Sequence, residues 1–246
     1  MLRKIAIILL ALVLTLSINV FSEDTPEGMV LVKSGTTSEE NGELTVNKDF
    51  YIGKNHVTQS EFEEIMGFNP SRFKGNPDNP VERVSWFDAV MYCNRLSKKE
   101  GLEKYYKITD IKYDGNNIDS ATVKENQGAD GYRLLSEEEW EYAARGGKDG
   151  KSTTYAGSNN IDEVAWYYRK APSTMPVGEK RANELGIYDM SGNVLDWTNT
   201  RWSDLSSVVR GGSWCYYDFY CEVDFSYALN KSHKDYILGF RISKDK

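Results

Sequence analysis

The sequence RGGSW at Arg210–Trp214 and the short motif GFR at Gly239–Arg241 enclose an aromatic segment near the end of the chain. Within it, residues 216–221 (YYDFYC) hold four aromatic side chains in six positions. A strand with one buried face alternates apolar and polar residues, and this run does not. The segment therefore predicts long ordered loops that carry aromatic side chains and pack on one small sheet.

The N-terminal residues have the pattern of a secretory signal peptide, which we place at residues 1–22. Arg3 and Lys4 precede an apolar run from Ile5 to Ile18, and Val20-Phe21-Ser22 offers a cleavage site. The apolar run is short for a bilayer span, and the alternative is an uncleaved N-terminal anchor. We predict an exported protein (periplasmic, cell-surface or extracellular) with no transmembrane span after cleavage.

Composition narrows the class of partner. The formal net charge is −7, and an acidic chain without a basic stripe argues against nucleic acid or an anionic membrane as partners. The length after residue 22 suits one domain, residues 23–246, and we expect a monomer. Three cysteines allow at most one disulfide. Cys93 lies in an apolar helical pattern and is predicted to be a buried thiol.

Local signals predict an α+β fold. Strands are expected at residues 28–32 and 50–53, joined by a polar loop at 34–42. A hairpin is expected around the turn at residues 114–117. Three helices are predicted to begin at capping boxes or similar pairs, in which a hydroxyl residue precedes an acidic residue by three positions. These pairs are Thr58 with Glu61, Ser85 with Asp88, and Ser136 with Glu139.

A series of phrases resembles the formylglycine-generating enzyme (sulfatase-modifying factor) family. The phrases are GMV at 28–30, YIGK at 51–54, VSWFDA at 84–89, GYRL at 131–134, EWEYAARGG at 139–147, NELGIYDMSGNV at 183–194, and the two C-terminal motifs. They cover nearly the whole chain after residue 22, in family order. The resemblance implies the family's variant of the C-type lectin fold, with little regular secondary structure and a ligand surface in the C-terminal segment.

The resemblance bears on catalysis through two cysteine positions. Active oxidases of the family use a copper-binding cysteine pair to convert a cysteine of a sulfatase peptide to formylglycine. The first position is Tyr216 here and the second is Cys221, while Cys215 lies one residue early. A one-residue offset on a strand reverses the face of a side chain, although a bulge could restore the register. Leu195 also replaces a tryptophan of the active enzymes. The cysteine spacing therefore favours a protein without catalytic activity. The alternative is a copper-dependent oxidase that uses Cys215 and Cys221.

The same fold carries the variable proteins of diversity-generating retroelements, in which mutated codons near the C-terminus line a ligand surface. Residues 215–221 contain only amino acids that such mutagenesis of asparagine codons can yield. Tyrosine gives a large, rigid contact area at a low entropic cost; the alternative is that these aromatic residues fill a second core. We predict non-catalytic binding of an unidentified protein or glycan ligand. The predicted site comprises Trp214, Cys215, Tyr216, Tyr217, Asp218, Phe219, Tyr220, Tyr227, Asn230, His233, Asp235 and Tyr236.

Four residues match positions that bind calcium in the family, through two side chains and two backbone carbonyls. They are Asp189, Gly192, Val194 and Asp196. Oxygen ligands that include carboxylates suit this cation, so the resemblance predicts a structural Ca²⁺ that fixes loops. The alternative is a turn without an ion, in which Asp189 caps the turn and Asp196 is solvated.

Histidine is scarce in this chain, which bears on the iron-dependent relatives in the family. Those proteins use clustered histidines, whereas this sequence contains only His56 and His233. Each lies in a segment that reads as a loop. We therefore expect both imidazoles at the surface and not in a metal site.

Overall fold

The computed structural model describes residues 25–39 and 42–246. The predicted signal peptide at residues 1–22 lies outside the described residues. Short strands and short helices are joined by long irregular segments, which confirms the α+β class. The strands are β1 (Met29–Val32), β2 (Gly35–Glu39), β3 (Gly42–Val46), β4 (Phe50–Gly53), β5 (Tyr106–Asp114), β6 (Asn117–Glu125), β7 (Leu195–Arg201), β8 (Ser206–Arg210), β9 (Ser226–Asn230), β10 (Leu238–Gly239) and β11 (Ser243–Asp245). The helices are α1 (Gln59–Met66), α2 (Trp86–Lys99), α3 (Glu137–Ala144) and α4 (Ile161–Val164).

Strand β4 lies at the centre of an antiparallel sheet, between β1 and β11. All four of its residues are buried, because it has a neighbour on both edges and is apolar throughout. Both strand predictions at this end of the chain are confirmed. The sheet joins the first described strand to the last, so the C-terminal residues are fixed to the N-terminal part of the domain.

The predicted polar loop at residues 34–42 was wrong, because β2 and β3 form an antiparallel hairpin there. Strand β2 has no apolar residue, and the alternation in β3 is limited to Leu44 and Val46, which face the second core. The exposed face of the hairpin is joined by polar β-branched residues, and the hydroxyl groups of Thr36 and Thr45 lie 2.8 Å apart across the pair. Threonine favours strands through its branched side chain, a signal too weak to separate this hairpin from a loop.

The three helix starts are confirmed, each with a complete capping box at the predicted residues. At the first of them, Glu61 Oε2 accepts a hydrogen bond from the Thr58 amide over 2.8 Å. Two amides that a helix start leaves without partners are thereby satisfied at each box. Helix α2 packs Cys93 into the main core, as predicted, where the thiol is fully buried.

The hairpin predicted around residues 114–117 is also confirmed, and it consists of β5 and β6. The buried side chain of Asn94 on α2 fixes the start of β5. Its Nδ2 donates to the Tyr106 carbonyl over 2.6 Å, and its Oδ1 accepts from the Tyr106 amide over 3.1 Å. The hairpin therefore leaves the helix at a fixed position.

The C-terminal segment lies on a four-stranded sheet with the order β10, β7, β8, β9. We predicted loops here, yet β9 is a regular strand that pairs with β8 and places Tyr227 opposite Val209. The intervening loop turns sharply at Gly212, whose φ is +73°. A Cβ at this position would lie 2.6 Å from Cys221 Sγ, so only glycine fits the turn.

The main core is built from α1, α2 and the C-terminal sheet, and it includes the fully buried Phe62 and Phe240. A second core beneath α3 includes Trp140 and Phe50. Among the residues that the structure describes, none of the helices has both the length and the apolar character needed to cross a bilayer.

Candidate functional site

The aromatic side chains of the C-terminal segment form a continuous group, which we call the aromatic surface. Its members are Tyr168, Tyr216, Tyr217, Phe219, Tyr220, Phe225 and Tyr227. Successive ring centroids are 3.9 to 6.4 Å apart along the chain of contacts from Tyr168 to Tyr227. These distances are typical of favourable aromatic pairs, so the rings hold one another in place.

The aromatic surface has an exposed outer part and a partly buried inner part. Tyr217 and Phe219 are 55% and 49% exposed. Tyr216 and Tyr227 are partly buried against the main core, and their hydroxyl groups lie 3.1 Å apart. The alternative of core packing therefore describes the inner part, while the ligand surface stays a prediction for the exposed part.

A second aromatic group contains Trp214 and Tyr236 from the predicted site, together with Phe73. The Phe73 ring meets both edge-on, with centroids 5.3 Å from Trp214 and 6.0 Å from Tyr236. The guanidinium of Arg72 lies 5.1 Å from the centre of the Tyr236 ring, a cation–π arrangement. Phe73 and Arg72 lie about 140 positions before Trp214 in the sequence, so no local pattern could place them here.

The remaining predicted ligand residues lie at the surface. Asp218 and Asn230 are exposed, and each uses its side chain to fix its own turn. His233 is exposed as expected and lies 3.7 Å from a carboxylate oxygen of Asp235. The predicted ligand residues thus lie in three stretches of the C-terminal segment, residues 214–220, 227–230 and 233–236. Their aromatic side chains belong to two separate groups.

The thiols of the oxidase alternative are in different surroundings. Cys221 is fully buried and Cys215 partly buried, and both are free thiols, as is Cys93. Burial raises the pKa of Cys221 to about 12 and also raises the pKa of Cys215. The thiolate is the form that binds metal and reacts, so both groups are in their inactive, protonated form at neutral pH. These surroundings do not suit a copper-binding thiolate pair.

Beneath this segment lies a buried charge cluster formed by Asp196, Arg241, Trp140 and His56. Asp196 Oδ2 accepts hydrogen bonds from Arg241 Nε and Trp140 Nε1, both over 2.8 Å. His56 Nε2 lies 3.5 Å from Asp196 Oδ1. The surface position expected for His56 was wrong, since it is 1% exposed. Burial lowers the pKa of His56 to about 4, so the imidazole is neutral at pH 7.

The predicted calcium ligands lie around this cluster. Asp189 is buried, and one of its oxygens accepts a hydrogen bond from the Gly178 amide over 2.8 Å. The Oδ1 atoms of Asp189 and Asp196 have no hydrogen-bond partner among the described residues, which leaves two oxygens for a ligand. However, Arg241 also donates to the Asp189 carbonyl, so a positive charge already lies between the two residues. The alternative in which Asp196 is solvated was wrong, since this residue is 1% exposed, and the calcium site stays a prediction.

The family profile of the sulfatase-modifying factor enzyme 1-like domain matches residues 18–246. The chain belongs to this family. A curated relative, Chaperone protein LppX of Paenibacillus barcinonensis, is 44% identical, with 76% of this chain and 79% of LppX covered. The formylglycine-generating enzyme of Streptomyces coelicolor is 26% identical, with 71% of this chain and 55% of the enzyme covered.

Solved structures give the same family. Treponema denticola variable protein 1 has a TM-score of 0.74 and 28% identity, with 89% of this chain and 94% of that protein covered. CarF has a TM-score of 0.72 and 26% identity, with 89% and 98% covered. These similarities confirm the predicted formylglycine-generating-enzyme type of C-type lectin fold. The chain spans most of LppX and of both solved structures but only about half of the Streptomyces enzyme.

Proposed function

We propose that this member of the sulfatase-modifying factor family binds polypeptide chains without catalysing a reaction on them. The aromatic surface is the contact site. In this proposal the protein acts as a chaperone does, by covering apolar segments of a client. A glycan ligand is the other class that such a surface could accept, and it serves as a comparison in the experiment below.

One observation carries the proposal, namely the exposure of Tyr217 and Phe219 on a rigid base of further rings. Exposed aromatic side chains that contact one another and further rings support an interaction site at this position. The base limits the entropy that the exposed rings lose on binding, since their neighbours already restrict them. Tyrosine hydroxyl groups add hydrogen bonds, which lets one surface accept different apolar sequences.

Two further points support binding over chemistry. The position of the family's first catalytic cysteine holds Tyr216, whose ring belongs to the aromatic surface. The relative that shares 44% of its residues is named a chaperone, and a structural neighbour is named a variable protein. Neither name describes an oxidase.

The proposal extends to location. We propose that the chain is exported by the signal at residues 1–22, so its clients are other exported polypeptides. The protein recovered from outside the cytoplasm should begin at Glu23, which N-terminal sequencing measures. Recovery only from the cytoplasm, with Met1 intact, would contradict this part of the proposal.

The experiment uses a permanently unfolded probe, reduced and carboxymethylated lysozyme with a fluorescent label, and measures binding by anisotropy. The test variant is Tyr217→Ser with Phe219→Ser. The matched control is Trp202→Ser with Leu205→Ser, since these side chains are 75% and 68% exposed but lie on the β7–β8 turn. We expect the test variant to bind at least about tenfold more weakly, and the control to bind as the unmodified protein does.

Two results for the variants would contradict the proposal. Equal losses of probe binding in both variants would mean that exposed apolar residues bind the probe without a defined site. Unchanged binding in the test variant would contradict it as well. If the protein bound oligosaccharides on an array but did not bind the unfolded probe, the ligand would be a glycan and not a polypeptide. Circular dichroism of both variants establishes that they remain folded.

A further inference from the structure

A large groove lies outside the C-terminal segment, between helix α2 and the β5–β6 hairpin. It has a volume of about 770 Å³, within the usual range for ligand sites. None of its lining residues belongs to the aromatic surface or to the predicted ligand site. Asn94 and Tyr106 form part of its base, and the two hydrogen bonds between them fix helix to hairpin. The groove is therefore a preformed feature of the fold.

The rim of this groove concentrates positive charge in a protein whose net charge is −7. Five exposed cations line it: Arg95, Lys98, Lys104, Lys107 and Lys124. They come from a helix, a loop and both strands of the hairpin, so they form no basic stripe in the sequence. The sequence has no basic stripe, and the fold brings these five cations together at the groove.

The lysines of the rim lack partners among the described residues. Lys98, Lys104, Lys107 and Lys124 have no carboxylate within ion-pair distance in that part of the chain. Lys99, which is not part of the groove lining, differs in this respect, because its Nζ pairs with Glu64 over 2.6 Å. The helix dipole at the end of α2 favours Lys98 and Lys99 equally and does not explain the difference.

The two carboxylates at the rim are already engaged within the protein. Glu125 accepts hydrogen bonds from Asn199 over 2.9 Å and from Tyr105 over 3.4 Å. Glu103 accepts one from Asn126 over 2.9 Å. Neither is used to neutralise a lysine of the groove. Five cations against two carboxylates leave the rim with an excess of positive charge, which attracts an anionic group.

The base of the groove is apolar, which limits the class of anion. Met91 and Ile108 line it, and both are partly buried against the main core. Methionine adapts its shape to different side chains. A nucleic acid would need exposed aromatic rings for its bases, whereas the Tyr106 ring in the groove is buried. A peptide offers both apolar side chains for the base and carboxylates for the rim.

We infer that this groove is a second binding site, which takes an acidic polypeptide segment with interspersed apolar residues. The carboxylates of the segment lie along the lysines, and its apolar side chains face Met91 and Ile108. The site acts independently of the aromatic surface, so it does not rest on the proposed function. A client bound at both sites would gain affinity through the link between them.

The test uses a short fluorescent peptide of alternating glutamate and leucine, with binding to the purified protein measured by anisotropy. The variant Lys98→Glu with Lys107→Glu replaces two attractions with repulsions and should weaken binding about tenfold. The control Lys54→Glu with Lys74→Glu makes the same change of net charge at exposed lysines outside the groove and should bind normally. Tyr217→Ser with Phe219→Ser should also bind the peptide normally, which separates this site from the aromatic surface.

Three results would overturn the inference. Unchanged binding in the groove variant places the peptide elsewhere. Equal losses in the groove variant and the control show long-range charge attraction without a site. Tighter binding of a single-stranded oligothymidylate than of the acidic peptide would make nucleic acid the ligand class. A matched peptide with glutamine for glutamate should bind at least about tenfold more weakly if the lysines make direct contacts.

Discussion

The Arg241 guanidinium donates a hydrogen bond to the Asp196 carboxylate over 2.8 Å, and both side chains are almost completely buried. This pair joins the GFR motif near the end of the chain to the first residues of β7. Arg241 also donates to the Tyr188 carbonyl over 3.0 Å. A buried charge is costly unless it is paired, so this pairing constrains how the C-terminal segment returns to the domain.

Replacing Asp196 by asparagine tests that constraint. The variant keeps the size of the side chain but leaves Arg241 buried without its carboxylate, and we expect the free energy of unfolding to fall by about 3 kcal/mol. Urea denaturation followed by tryptophan fluorescence measures this change. The loss should be the same with and without a calcium chelator, because the partner is a side chain of the protein.

The calcium hypothesis is tested separately, by the effect of a chelator on the melting temperature. If Asp189 and Asp196 hold Ca²⁺, chelation lowers the melting temperature of the unmodified protein, and Asp189→Ala with Asp196→Ala removes that sensitivity. A melting temperature unchanged by chelation would count against the ion. A destabilisation of Asp196→Asn that vanishes under chelation would mean that calcium, not Arg241, is the partner that matters.

The buried carboxyl group of Glu82 should make the stability of the fold depend on pH. Its side chain is fully buried, and burial raises its pKa from 4.5 to about 7. Because the folded protein holds this proton more tightly than the unfolded chain, the group destabilises the fold progressively as the pH rises from about 4.5 to about 7. Glu82→Gln removes that cost and can still accept from the Phe73 amide. We expect the variant to gain about 2 kcal/mol relative to the unmodified protein between about pH 5 and about pH 8.

Urea denaturation at the two pH values measures this gain. An identical difference at both pH values would show that Glu82 keeps an ordinary pKa. The control is Glu138→Gln, because Glu138 lies in the exposed first turn of α3 and should show no such change.

Catalysis is tested by a peptide of the form Cys-x-Pro-x-Arg, mixed with copper-loaded protein under air and followed by mass spectrometry. We expect no conversion of the cysteine to an aldehyde, because Tyr216 occupies the first thiol position and both remaining thiols are protonated. A known formylglycine-generating enzyme is the positive control. Aldehyde formation that Cys221→Ser abolishes would make the protein an oxidase and contradict the binding proposal.

Diversification of the segment has a structural signature. If the gene is rewritten by a retroelement, changes should concentrate in codons 215–238 and fall at exposed positions such as Tyr217, Asp218 and His233. Buried positions such as Cys221 and Val223 should be constant, because they pack into the cores beneath. Sequencing the gene across a cell population measures this. A uniform sequence with no neighbouring near-copy would contradict it.

The fold was predictable where the signal is local. Each capping box lies within four residues, and the turn at residues 114–117 joins adjacent strands, so both kinds of element could be read from short windows. The β2–β3 hairpin was missed because β2 has no apolar residue and the alternation in β3 is limited to Leu44 and Val46. The family resemblance gave the fold class, since its phrases extend over the whole domain.

The site was less predictable because its contacts are distant in sequence. His56 looked like a surface residue before a helix, and its burial depends on Asp196, which lies 140 positions later. The lysines of the groove are scattered between residues 98 and 124 and become a cluster only when hairpin and helix meet. No window of the sequence contains both partners of these contacts.

The most direct test of the binding proposal is hydrogen–deuterium exchange of the protein alone and with the unfolded lysozyme probe. The account predicts slower exchange in the peptides that span residues 214–222 and 166–170, because these carry the aromatic surface. Exchange of the β7–β8 turn at residues 202–205 should not change. Protection confined to other regions, or no protection while the probe is bound, would contradict the central claim.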